Sequence, residues 1–289
     1  MFSFKSLYRF LSSKHQTLFL EYPVKFEPRY GYGKPPHALL YEHINEGRNH
    51  YEKLLQGFLD YRERIWQIKP QAENNTIQPH WNNGFLPGLD IVGIYGMLAK
   101  YQPQRYIEVG SGNSTKVAFK AIQEQGLSTT ITCIDPQPRT SIRQLANQVI
   151  EQAFETIEST WLTKLEPNDI LFIDNSHRVL PNSDAMVFFL EVLPYLREGV
   201  IVHIHDVFLP YDYPLAMCDR FYSEQYLLAA FLLANPERFK VLLPNYFISE
   251  DTALANVISP IWEHPNLKTV EQHGGSFWFQ INHLAKLKN

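Results

Sequence analysis

From residue 105 onward, the chain alternates short apolar runs with longer segments in which apolar residues recur every three or four positions. Short apolar runs between turn-forming residues predict strands, and the wider spacing predicts helices. We expect strands at residues 106–109, 130–134, 153–156, 170–173 and 200–204, with helices at residues 115–124, 141–150, 183–196 and 223–233. Strands that alternate with helices form a parallel sheet covered on both faces, a Rossmann-like, doubly wound α/β fold.

The C-terminal residues break this alternation. A predicted strand at residues 239–242 and a helix at residues 253–262 are followed by Gly274-Gly275 and an apolar run at residues 276–281. Parallel strands need a long crossover connection, and the last strand is joined too tightly for one. We therefore expect an antiparallel last strand that forms a hairpin on the edge of the sheet.

The first hundred residues show a helical pattern. Apolar residues recur at helical spacing over residues 38–68 and again over residues 87–100. Residues 1–20 mix Lys and Arg among apolar positions, which is typical of an amphipathic helix and differs from a signal peptide. The pattern predicts a helical N-terminal cap over residues 1–100 and a sheet domain over residues 101–289.

Composition and charge narrow the function classes. The 289 residues carry 26 Lys+Arg and 30 Asp+Glu, a formal charge of −4, with no basic run of the kind that binds nucleic acid backbones. No apolar run is long enough to span a membrane. The two cysteines, Cys133 and Cys218, cannot form a disulfide framework. We expect a cytoplasmic protein that acts on a small molecule, and its oligomeric state stays open.

A glycine turn follows the first predicted strand. Residues 110–115 read GSGNST and lead into a helix, and Asp135 closes the next strand. Such a turn brings backbone N–H groups against a ligand, and a carboxylate at the end of the second strand binds ribose hydroxyls. A plain strand-to-helix turn with Ser114 or Thr115 as N-cap is the alternative. The combination favours a nucleoside ligand.

Glu108 discriminates between the two natural nucleoside cofactors. In a dinucleotide site the position two residues before the first glycine is normally apolar, whereas a carboxylate there suits S-adenosylmethionine, which bears an ammonium and a sulfonium. Thr115 also occupies the place of the third glycine of the dinucleotide motif. The turn therefore favours S-adenosylmethionine over NAD.

The segments IEVGSGNST, CIDP, DILFIDNSH and GVIVHIHDVFLPYDYP resemble class I S-adenosylmethionine-dependent methyltransferases, and specifically a bacterial group with DxSH and HxHD signatures. The resemblance implies a seven-stranded sheet with an antiparallel seventh strand. It also implies that Asp135 binds the ribose. The remaining cofactor-binding candidates are Glu108, Gly110, Ser111, Gly112, Asn113, Ser114 and Asp174.

Histidines and aspartates follow two of the predicted strands. Asp174 and His177 come after the fourth strand, and His205 and Asp206 end the fifth. Ligands of open α/β sheets bind outside the carboxyl ends of the strands. If the two strands are neighbours, as the resemblance implies, the four side chains converge on one pocket.

Three interpretations of this cluster are open. In the first, His177 is the general base of a methyl transfer and titrates near 6.5, with His205 and Asp206 as further catalytic candidates. In the second, Asp174, His205 and Asp206 bind a divalent metal. In the third, Asp174 caps a turn and His203 fills the core. The mixture of imidazoles and carboxylates favours the base over magnesium, which prefers oxygen ligands.

Aromatic residues in the Pro- and Gly-rich loops are candidates for substrate contacts. Tyr32, Trp81 and Tyr211 lie outside the predicted core elements, where large side chains either pack the cap on the sheet or stack on a ligand. We expect methyl transfer to a small molecule, at a hydroxyl oxygen. The alternatives are an NAD-type oxidoreductase, which Glu108 and the last strand disfavour, and a catalytically silent nucleoside-binding module, which the His/Asp cluster disfavours.

Overall fold

The computed structural model describes residues 8, 10–12, 15–72, 77–139 and 141–282. The predicted helix at residues 1–20 lies partly outside these residues. A seven-stranded sheet forms the centre of the molecule, in the order β3-β2-β1-β4-β5-β7-β6. Its strands are β1 Arg105–Val109, β2 Thr130–Ile134, β3 Gln148–Ile150, β4 Ile170–Ile173, β5 Ile201–Ile204, β6 Phe239–Pro244 and β7 Phe277–Ile281. The predicted α/β fold is confirmed.

The last strand is antiparallel, as predicted, and it belongs to an antiparallel pair at one edge of the sheet. Strands β1 to β5 pair in parallel, and β7 runs antiparallel to both β5 and β6. The edge strand itself is β6, and β7 lies between β5 and β6. Its Phe277, Trp278 and Phe279 are all buried. Continuous burial is the pattern of an internal strand covered on both faces.

The region between β2 and β4 also differs from the prediction. The helix expected at residues 141–150 is a 3₁₀ turn, Ile142–Gln144, followed by β3, and the strand expected at residues 153–156 is a second 3₁₀ turn, Phe154–Thr156. Asn147 Oδ1 accepts a hydrogen bond of 2.8 Å from Ile131 N and starts the pairing of β3 with β2. Because β3 has three residues, tertiary pairing rather than local pattern determines it.

Helices surround the sheet. The helix predicted over residues 183–196 divides into an α-helix at Asp184–Val187, a π-helical turn at Phe188–Val192 and a 3₁₀ turn at Leu193–Tyr195, which includes the helix-breaking Pro194. The helices are α1 Ala38–Asn45, α2 Arg48–Phe58, α3 Arg62–Ile65, α4 Gly88–Tyr101, α5 Asn113–Gln125, α6 Asp184–Val187, α7 Leu215–Cys218, α8 Glu224–Ala234, α9 Asn245–Glu250 and α10 Thr252–Trp262. In the described part of the chain, no helix is long and apolar enough to cross a membrane.

The helical N-terminal region packs on the sheet region through a continuous core. Helix α4 is buried over most of its length and packs against α5, while α2 packs against α10. Trp66 Nε1 donates a hydrogen bond of 2.8 Å to Ile261 O, and Arg48 pairs with Asp251. One hydrophobic cluster includes residues from both predicted domains. The domain boundary at residue 100 stays a prediction.

Candidate active site

The glycine turn lies at the carboxyl end of β1, directly beside β4. Gly110 has a φ of +83°, and a Cβ there would clash with the backbone oxygen of Asp174. Gly112 differs, because a Cβ added to it would meet nothing within 4 Å. The first glycine is therefore required by the fold. The second leaves open space above the turn, where the resemblance expects the cofactor.

Glu108 is fully buried beneath this turn. Its carboxylate accepts hydrogen bonds from the Ser114 hydroxyl and, at 2.6 Å, from Thr115 Oγ1. Burial, which disfavours a charge, raises the pKa of Glu108 to about 8, although the two hydroxyls act to lower it. Thr115 Oγ1 also accepts a hydrogen bond from Gly112 N at 3.1 Å. Thr115 thus links Glu108 to the turn, which explains why it replaces the third glycine of the dinucleotide motif.

Asp135, which we expect to bind the ribose of the cofactor, follows β2 and is half-buried. The Ser111 hydroxyl donates to one of its oxygens, and Gln137 N donates to the other at 2.8 Å. Each carboxylate oxygen can accept a further hydrogen bond. Asp135 is thus fixed in orientation, beside the turn, with capacity left for two hydroxyls. Asn113 and Ser114 are buried in the first turn of α5, and the Ser114 side chain faces Glu108 rather than the surface.

The structure brings Asp174, His177, His205 and Asp206 together. His177 Nε2 lies 3.5 Å from Asp174 Oδ1 and 3.5 Å from Asp206 Oδ2. His205 Nδ1 lies 3.5 Å from Asp174 Oδ1 and 3.6 Å from Asp206 Oδ1. Both carboxylates therefore bridge the two imidazoles. The parallel pairing of β4 with β5 explains the convergence, because it places the carboxyl ends of these strands side by side.

His177 is surrounded by carboxylates. Burial acts to lower the pKa of its ring, but Glu224, Asp174 and Asp206 outweigh burial and raise the pKa well above the usual value. The surroundings of His177 therefore favour a titration above the expected 6.5. The sequence could not reveal the shift, because Glu224 reaches the ring from a distant helix.

His205 and Asp174 are perturbed in a related way. Burial acts to lower the pKa of His205, yet the carboxylates of Asp206, Asp174 and Asp90 raise it well above its usual value. Burial acts to raise the pKa of Asp174, but the imidazoles of His205 and His177 hold it well below the usual range. The imidazoles and carboxylates of the cluster thus favour each other's charged forms at this end of the sheet.

Two members of the cluster were missed from the sequence. Asp90, in α4, is fully buried, and its Oδ2 lies 3.3 Å from His205 Nε2. It also accepts hydrogen bonds from Asn245 Nδ2 at 2.7 Å and from Gly275 N at 2.9 Å. Glu224, at the start of α8, contacts His177 Nδ1. The signal for Asp90 is a single carboxylate within an apolar helix; nothing comparable marks Glu224.

His203 has a structural role, as the third interpretation of the cluster expects. Its ring is stacked between Phe172, at a centroid distance of 4.0 Å, and Trp278, at 3.7 Å. His203 Nε2 hydrogen-bonds with Ser276 Oγ at 2.7 Å. Burial lowers the pKa of His203 well below its usual value, so it is a neutral core residue.

A cleft of about 480 Å³ opens beside the cluster. Trp81, Phe208 and Asp206 contribute to its walls, together with the loop at residues 82–88. The side chain of Asp206 is 18% exposed, whereas that of His177 is 7% exposed. Asp206 is therefore the member of the His177–Asp206 pair that reaches the cleft wall.

The aromatic candidates do not all lie in this cleft. Trp81 lines it, with its ring buried against Trp262. Tyr211 lines a separate cavity of about 260 Å³. Tyr32 is half-exposed, and its hydroxyl donates a hydrogen bond of 3.2 Å to the backbone oxygen of Asp212. The structure therefore separates Trp81 from the two tyrosines. The loops that carry Tyr32 and Tyr211 pack on each other, since a Cβ added to Gly31 would lie 3.1 Å from the Tyr211 side chain.

The residues proposed as metal ligands contact one another instead of forming a metal site. Across the described ranges, no group of three or more His, Cys, Asp or Glu side chains is placed to hold a metal ion. The candidate ligands Asp174, His205 and Asp206 pair with one another and with His177 instead.

Comparisons with known proteins agree with this geometry. Residues 107–207 match the family model described as a methyltransferase domain. This segment includes the glycine turn, Asp135 and the His/Asp cluster. No curated protein matches the chain in sequence.

Several solved structures are similar at low identity. The methyltransferase PaMTH1 of Podospora anserina, with S-adenosylhomocysteine bound, is 15% identical, with 78% of this chain and 88% of that chain covered and a TM-score of 0.43. An O-methyltransferase of Bacillus cereus in complex with S-adenosylhomocysteine is 13% identical, with 80% and 91% covered and a TM-score of 0.37. A branched-chain polyamine synthase of Thermus thermophilus is 11% identical, with 82% and 66% covered and a TM-score of 0.40.

The family match over residues 107–207, together with the sheet order, indicates an enzyme that contains a methyltransferase domain.

Proposed function

We propose that the protein transfers a methyl group from S-adenosylmethionine to a hydroxyl oxygen of a small molecule bound in the cleft, with His177 as the general base. The observation that carries this proposal is that Asp206 contacts both the cleft and His177. Asp206 is one of the residues that line the cleft, and its Oδ2 lies 3.5 Å from His177 Nε2. An acceptor that reaches Asp206 is therefore one carboxylate away from the imidazole.

The residues present fit the cofactor. Open space in front of Gly112 accommodates a ligand, and Asp135 has free acceptor capacity for ribose hydroxyls. The fully buried Glu108 supports the turn through its contacts with Ser114 and Thr115. When bound, S-adenosylmethionine supplies an electrophilic methyl group.

The proton of the acceptor has a defined route. The acceptor hydroxyl would donate a hydrogen bond to the Asp206 carboxylate, which would take its proton and pass it to His177 Nε2. The acceptor oxygen would gain the methyl group as the carbon–sulfur bond breaks, with S-adenosylhomocysteine as the leaving product. This transfer needs the neutral imidazole. Because the surrounding carboxylates raise the pKa of His177, the neutral form becomes abundant at alkaline pH.

The charge of the cleft restricts the acceptor. No Lys or Arg occurs among the described residues that line the cleft, while Asp206 and Glu271 are acidic. An acceptor that carries a phosphate or carboxylate next to its hydroxyl would meet repulsion from these two carboxylates, with no Lys or Arg among the described lining residues to offset it. We therefore propose a neutral or cationic acceptor.

The test uses methyl-labelled S-adenosylmethionine and fractionated metabolite extracts, with products detected by mass spectrometry. We expect labelled product from at least one fraction that contains neutral or cationic hydroxyl compounds, and suppression of that product by excess S-adenosylhomocysteine. The absence of labelled product from every fraction, with S-adenosylhomocysteine bound, would support the silent binding module. Reduction of NAD in the same fractions would support the oxidoreductase.

A further inference from the structure

The N-terminus of α8 holds His177 by both its backbone and its ring. Ser223 N donates a hydrogen bond of 2.8 Å to His177 O, and Ser223 Oγ accepts one of 2.9 Å from Val179 N. The next residue, Glu224, places its carboxylate on His177 Nδ1. The helix therefore positions the residue that carries the proposed base, although 47 positions separate Glu224 from His177.

The backbone of His177 requires such support. Its φ of +60° lies in the left-handed region, which is unfavourable for residues other than glycine. Asn175 Oδ1 accepts a hydrogen bond of 2.8 Å from His177 N, and α8 binds the carbonyl on the other side. A conformation of this kind persists where the surroundings hold it, and it is concentrated at functional sites.

The burial of the Glu224 carboxylate is unfavourable for the free energy of folding. Its side chain is fully buried, burial raises its pKa, and among the described residues its Oε2 has no hydrogen-bond partner. A glutamate in the first turn of a helix can stabilise the helix from a solvated position, so helix stability does not explain this burial. A buried carboxylate with an unpaired oxygen destabilises the fold unless its other contact compensates. That contact is His177.

We infer that Glu224 is a positioning residue that fixes His177 as the Nδ1–H tautomer and directs Nε2 toward Asp206. A proton on Nδ1 is donated to Glu224 Oε1, which leaves the lone pair of neutral His177 on Nε2. Nε2 is the atom 3.5 Å from both Asp206 Oδ2 and Asp174 Oδ1. The inference rests on the proposed function for the direction of proton transfer, and on geometry alone for the tautomer.

The test is ¹⁵N NMR of His177 across pH in the wild type and in Glu224→Gln, each bound to S-adenosylhomocysteine. In the wild type at alkaline pH, we expect neutral His177 to show a protonated Nδ1 and an unprotonated Nε2. In Glu224→Gln, we expect loss of this single tautomer and a titration of His177 lowered by about one pH unit or more, since one facing carboxylate is removed. Glu166→Gln, which neutralises an exposed partner of Arg197, is the matched control and should leave the His177 signals unchanged.

The outcomes separate this inference from the proposed function. A protonated Nε2 in neutral wild-type His177, or an unchanged tautomer and titration in Glu224→Gln, overturns the inference. If Glu224→Gln does not fold, the wild-type spectrum alone still decides the tautomer. If the spectra are as expected but His177→Ala methylates the acceptor at the wild-type rate, the proposed base fails and the positioning role of Glu224 stands.

Discussion

Asp206 Oδ2 lies 3.5 Å from His177 Nε2, and Asp206 also forms part of the cleft wall. The backbone of Asp206 is left-handed, with a φ of +55°, which turns the chain at the end of β5. This relationship connects a buried imidazole with the space in which an acceptor can bind.

The first prediction concerns that connection. Asp206→Asn should lower kcat by about 10² to 10⁴, since it removes the carboxylate that contacts both the acceptor and His177. Calorimetry with S-adenosylhomocysteine should give wild-type affinity, because Asp206 is not among the cofactor candidates. Asp219→Asn, an exposed carboxylate after α7, is the matched control. Equal rates for both variants would exclude Asp206 from catalysis.

The pH dependence of the reaction follows from His177. The folded protein raises the pKa of this ring, and the base is active when neutral, so the rate should increase with pH through a pKa well above 6.5. A pH profile of kcat at saturating cofactor measures this. A profile that rises through 6.5 and is flat above it would mean that the carboxylates do not act on His177.

The two glycines of the turn should respond differently to alanine. Gly110→Ala combines a positive φ with a clash against Asp174, so it should destabilise the fold by about 1–3 kcal/mol in chemical denaturation. Gly112→Ala has open space and should fold like the wild type, but bind S-adenosylhomocysteine about tenfold more weakly because its methyl group enters the cofactor space. Wild-type affinity in Gly112→Ala would place the cofactor elsewhere.

Chelation separates the base from the metal interpretation. Both imidazoles of the cluster have raised pKa values and contact the candidate carboxylate ligands, so we expect methyl transfer to continue in EDTA-treated protein. The measurement is the turnover rate before and after EDTA, and after added magnesium or manganese. Loss of activity with EDTA and its recovery with either metal would assign Asp174 and Asp206 to a metal centre.

The sequence predicts those parts of the site that local pattern determines. The turn at residues 110–115 and the side chains just past β4 and β5 follow from strand positions, because parallel strands end at one edge of a sheet. Tertiary contacts determine the rest. Glu224 reaches His177 from α8 and Asp90 reaches His205 from α4, and neither distance can be derived from spacing along the chain. Strand β3 was missed for the same reason, since three residues carry too little periodicity.

The most direct test of the central claim is calorimetric titration of the protein with S-adenosylhomocysteine and, separately, with NAD. We predict micromolar binding of S-adenosylhomocysteine and no heat from NAD. In Asp135→Ala, the free energy of cofactor binding should weaken by roughly 1.5 to 3 kcal/mol, because charged acceptors for the ribose hydroxyls are lost. Binding of NAD without any response to S-adenosylhomocysteine would contradict the assignment of this fold to methyl transfer.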